Sequence, residues 1–67
     1  MILKGYDIDI LRANAGLTIR ALAATSKCSP ATIQKARQGK DLSVMAAGRI
    51  SKALGVPLED LIEKQPQ

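Results

Sequence analysis

Three times in this chain an apolar residue precedes a hydroxyl residue, and a second apolar residue follows four positions later. The sets are Leu17-Thr18 with Leu22, Cys28-Ser29 with Ile33, and Leu42-Ser43 with Ala47. A hydroxyl at that place accepts from the free N–H groups of a helix's first turn. The apolar residue before it packs on one in the second turn. Pro30 directly after Ser29 suits a first helical position, where its missing N–H costs nothing. Gly16, Gly39 and Gly55 stand where helices would stop, because glycine takes the left-handed conformation freely. Together these marks predict short helices over about residues 6–15, 18–26, 29–38, 43–54 and 57–64.

The apolar spacing agrees. Ile8, Leu11, Arg12 and Ala15 follow helical spacing, as do Ala47, Ile50, Ser51 and Leu54, while Leu58, Leu61 and Ile62 make one side of the last segment. Each helix has one stripe, so the expected fold class is all-α, with five helices around one core. No alternation is long enough for a strand. The 67 residues suit a single domain, 1–67, which buries only about 60% of its unfolded surface. Trp and Phe are absent, and the apolar residues are mostly Ala, Leu and Ile. Met1-Ile2-Leu3 either covers the core or joins an oligomer contact. No apolar run approaches the roughly 20 residues of a membrane span, and no signal peptide is visible. The lone Cys28 excludes an internal disulfide framework, so the expected location is cytoplasmic, with no membrane.

Enzyme chemistry finds little support. With no histidine, the usual general base near neutral pH is missing. Cys28 has no second cysteine or histidine with which to hold a metal, and its place opposite Ile33 reads as a buried structural thiol. The glycines form no phosphate loop. Glu59 and Asp60 complement the dipole at the start of the last helix, and Glu63 reads as solvated. The expectation is a protein that is not an enzyme, with no cofactor and no metal.

Charge is distributed unevenly. Residues 1–17 balance to zero, and residues 53–67 carry a net −2. Between them stand Arg20, Lys27, Lys35, Arg37, Lys40, Arg49 and Lys52 against Asp41 alone. A basic middle between neutral and acidic ends points to a polyanion partner, although a basic solvated surface would look the same.

The run LTIRALAATSKCSPATIQKARQGK resembles the helix-turn-helix of the phage repressor and Cro family, also called the XRE family. Leu17-Thr18 opens the motif's first helix, and Ala23 is small where the two helices cross. Cys28-Ser29 supplies the apolar residue and the cap, Ile33 is the core residue of the second helix, and Gly39 ends it. LRANAGLT and ISKALGVPLEDL are similar to the family's opening and closing segments, so the likeness covers nearly the whole chain. No single match is specific; their joint spacing is. The resemblance implies a compact five-helix, lambda-repressor-like DNA-binding domain, with the motif over about residues 18–38 in helices 2 and 3. Three positions depart from the pattern. Lys27 stands where the turn often has glycine. Ile19, followed by Arg20, stands where glutamine often braces the DNA backbone. Arg37 stands where glutamate often pairs with the arginine at Arg12. Two facing arginines repel, so one turns elsewhere or a phosphate or a nearby aspartate lies between.

DNA reading requires a helix in the major groove with short or amide side chains at base edges, flanked by phosphate-holding groups. At about 100° per residue, Ile33 and Ala36 face inward. Ala31, Gln34, Lys35 and Gln38 face outward beside Pro30 and Thr32. Gln bonds adenine in two places, Lys reaches guanine, and Ala31 suits a thymine methyl. The candidate base contacts are therefore Ala31, Thr32, Gln34, Lys35 and Gln38. The phosphate candidates are Arg20, Lys27, Ser29, Lys40 and, nearer the inner edge, Arg37. An ordinary solvated helix would more often carry Glu–Lys pairs, and helix 3 has no acid.

The expected function is a transcriptional regulator of repressor type that binds double-stranded DNA as a homodimer on a palindromic operator. Leu58, Leu61 and Ile62 are candidate dimer contacts, unless the core consumes them. The alternative is an antitoxin-like protein-interaction module that keeps the fold. A single aromatic argues against RNA base stacking, and the basic residues gather on no one amphipathic helix suited to a membrane surface.

Overall fold

The computed structural model describes residues 1–63. All three expected caps form. The Thr18 hydroxyl accepts from the Ala21 N–H at 3.0 Å, Ser29 from Thr32 at 3.2 Å, and Ser43 from Ala46 at 3.1 Å. They open α2 (Ile19–Ser26), α3 (Pro30–Arg37) and α4 (Val44–Leu54). Before them lies α1 (Gly5–Asn14), and after them a single turn, α5 (Leu58–Leu61). Among the described residues the fold is all-α with five helices, as the apolar stripes predict.

The first four helices end by one device. A residue in the left-handed conformation sits at Gly16, Lys27, Gly39 and Gly55. Its N–H returns three residues, and the next N–H returns five: Leu17 to the Arg12 carbonyl, Cys28 to Ala23, Lys40 to Lys35 and Val56 to Ser51. These bonds satisfy carbonyls that the helix leaves free. Lys27, at φ 58°, therefore makes the same turn as the three glycines, despite its side chain.

Leu3, Ile8, Leu22, Ile33, Ile50 and Leu61 form the fully buried centre. Ala23, Ala36 and Ala47 are buried among them, where small side chains let helices approach. α2 packs on α3 and α4, while α1 packs on α3. The last contact is close at Gly5, where a Cβ would fall 2.1 Å from the Arg37 carbonyl oxygen. The buried hydroxyls are satisfied: Ser26 donates to the Leu22 carbonyl at 2.7 Å and Ser51 to Gly48 at 2.9 Å.

The N-terminal segment covers the core and pairs with residues 61–63. Lys4 N–H donates to the Leu61 carbonyl at 2.7 Å, and Glu63 N–H to Ile2 at 2.9 Å, around an antiparallel bridge of Leu3 with Ile62. Leu42 N–H donates to the Met1 carbonyl at 2.7 Å. Three expectations change. The last helix stops at Leu61, because Ile62 is extended to pair with Leu3; residue 64 lies outside the described residues. Ala15 follows the end of α1 and is exposed. Leu61, a candidate dimer contact, is 1% exposed, and Leu58 and Ile62 pack against the same core. A core this small consumes the apolar side of α5.

Candidate nucleic-acid interface

Ser29 and Pro30 start α3, and the inward pair Ile33 and Ala36 sets its rotation, both fully buried. Ala31, Gln34, Lys35 and Gln38 are consequently exposed on the outer side. Thr32 is half-buried, and its hydroxyl shares a 3.0 Å hydrogen bond with that of Ser29. Arg20 is exposed in the first turn of α2, Lys27 and Ser29 in the turn before α3, and Lys40 just beyond its end. The two helix N-termini add unpaired N–H groups, which favour anions. The surface around α3 thus offers amide and ammonium donors with no carboxylate on the helix.

Arg37 lies apart from that outer face. Its Nε donates to Asp9 Oδ1 at 2.7 Å and its Nη2 to Asp9 Oδ2 at 3.2 Å. Its Nη1 donates to Gln34 Oε1 at 2.9 Å. Arg12 meets the same carboxylate, with Nη2 at 3.1 Å from Oδ1, and its Nη1 holds the Leu17 carbonyl at 3.0 Å. The two arginines are reconciled by one aspartate between them. Arg37's hydrogen bonds, with Arg12's beside them, hold the Asp9 carboxyl below its ordinary pKa against the opposing effect of burial. The Arg37 guanidinium is correspondingly pushed up.

Asp9 is the residue that sequence reasoning did not single out. Its spacing to Arg12 was a visible helical signal, whereas Arg37 is 28 positions away. Arg49 and Lys52 were also not singled out. With Lys27 they line an open cleft between the end of α2 and the second half of α4. Cys28, expected to be buried, is half-buried and donates to the Ser26 carbonyl at 3.6 Å. Among the described residues no helix is long and apolar enough to cross a membrane, and no group of His, Cys, Asp and Glu is arranged to hold a metal.

Residues 8–61 match the family described as helix-turn-helix. Among solved structures, two crystal structures of the clp gene regulator ClgR from Corynebacterium glutamicum are similar to this chain. One is 32% identical with a TM-score of 0.69, over 84% of this chain and 74% of that one. The other is 32% identical with a TM-score of 0.70, over 84% of this chain and 61% of that one. No curated protein matches.

Proposed function

This chain belongs to the XRE-type helix-turn-helix family of DNA-binding transcriptional regulators, and we propose that it works as a repressor, a dimer reading a palindromic operator. The observation that carries this reading is the outer face of α3: Ala31, Gln34, Lys35 and Gln38 stand exposed on a rigidly capped helix without an acid. In this reading those four and Thr32 meet base edges, while Arg20, Lys27, Ser29 and Lys40 hold phosphates on either side. Arg37, the remaining phosphate candidate, is engaged by Asp9 at the edge of this surface. One module of this size reads few base pairs, so two-fold pairing supplies the missing specificity. Occupying a promoter is then the simplest mode of control.

Titration against random and selected duplexes at several salt concentrations tests this. Affinity for a selected duplex is expected to exceed that for random DNA at every salt. Replacing Gln34 by Ala should cost about 1–3 kcal/mol on the selected site. Arg20→Ala or Lys40→Ala should weaken all duplexes alike and lower the slope of log affinity against log salt by about one. Equal affinity for selected and random DNA throughout would refute sequence-specific regulation.

A further inference from the structure

Arg37 uses all three guanidinium nitrogens inside the protein: two on the Asp9 carboxylate and one on the Gln34 side chain. A guanidinium has donors and no acceptor, so the amide atom it meets must be the Gln34 oxygen. The amide NH2 group is then left free of Arg37, on a side chain that is exposed on α3. The clamp is itself anchored. Asp9 is gripped by Arg12 from within α1, and Arg12 is tied to the Leu17 carbonyl at the start of the next segment. The orientation of a surface amide is thereby set from the first helix.

We infer that Arg37 is a specificity-determining positioning residue: anchored on Asp9, it turns Gln34 so that α3 offers a donor at that point and selects guanine over adenine. This rests on the DNA-binding reading above and refines it. A free glutamine pairs with adenine through both amide atoms, accepting from N6 and donating to N7. With its oxygen held by Arg37, Gln34 brings two N–H groups to the groove. Guanine presents two neighbouring acceptors, O6 and N7, whereas adenine sets its own N6 donor against them. Gln38 lies outside this network, so the adenine option remains with it.

The test is base preference, measured on duplexes randomised at one base pair at a time. The pair that Gln34 reads is the one where Gln34→Ala abolishes preference. There, wild-type protein should favour guanine over adenine. Arg37→Lys keeps the charge beside Asp9 but lacks the planar fork that holds the carboxylate and the amide in fixed directions. It should reduce the guanine-over-adenine ratio about fivefold to tenfold, since one well-placed base contact discriminates on that scale. The salt slope should stay unchanged. In a Gln34→Ala background the same replacement should have no effect at that pair. Gln34→Glu, at an exposed position, provides a second check: with acceptors alone its preference should move to cytosine. If wild-type protein is selective but prefers adenine there, or if Arg37→Lys weakens all duplexes equally, the clamp has no role in specificity. If wild-type protein shows no preference anywhere, the DNA-reading function fails first and this inference falls with it.

Discussion

Asp9 accepts from Arg12 and Arg37 at once, and its removal leaves two cations facing each other. Its side chain is 38% exposed, so solvent screens much of the interaction. Replacing Asp9 by Asn is expected to cost about 1–2 kcal/mol in urea unfolding at neutral pH. The pH dependence has a definite sign. The folded carboxyl titrates below its ordinary value of 3.8, so the unfolded chain binds more protons in that range. The contribution is present above about pH 4 and is lost as pH falls through the folded pKa, so wild type and Asp9→Asn should converge in acid. Lys27 makes a residue-scale contribution of opposite kind. Its backbone is strained at φ 58°, and Lys27→Gly should stabilise the fold by about 0.5–1 kcal/mol. The same change should weaken binding to every duplex alike, because it removes a phosphate candidate.

At the scale of elements, the contact between α1 and the end of α3 depends on a missing side chain. An alanine at Gly5 would put its Cβ against the Arg37 backbone, which cannot move aside as a flexible side chain would. Gly5→Ala should therefore destabilise by about 1–3 kcal/mol, measured by thermal or urea unfolding. Because it displaces Arg37 from Asp9, base preference at the Gln34 position should also shift. The start of α3 tolerates less than its exposure suggests. Ser29 caps the helix through the Thr32 N–H, so Ser29→Ala should cost about 1 kcal/mol of stability besides any phosphate contact.

At the scale of the whole molecule, the dimer proposed above would need a pairing surface outside the apolar side of α5, which packs against the core. Tyr6 and Ile10 on α1 are 77% and 45% exposed, and Ile10 lines a groove with Asp7, Leu11, Val56, Asp60 and Leu61. Replacing Tyr6 and Ile10 together by Glu should shift a dimer to the monomer mass in sedimentation, with helicity unchanged. An unchanged mass would place the pairing surface elsewhere, for instance at the exposed Val44 and Met45. The helices, their three hydroxyl caps, the stops at Gly16, Gly39 and Gly55, and the exposed face of α3 were legible in the sequence. Each rests on hydrogen bonds or apolar spacing between residues a few positions apart, and such interactions are written in local order. The partner of Arg37, the close approach at Gly5, the burial of Leu61 and the pairing of Leu3 with Ile62 were decided by tertiary structure. They join residues far apart along the chain, and whether two such groups meet depends on where the helices cross. Lys27 belongs to both levels: the sequence showed a lysine where a glycine would be easier, and the packed α2–α3 pair holds it in that conformation.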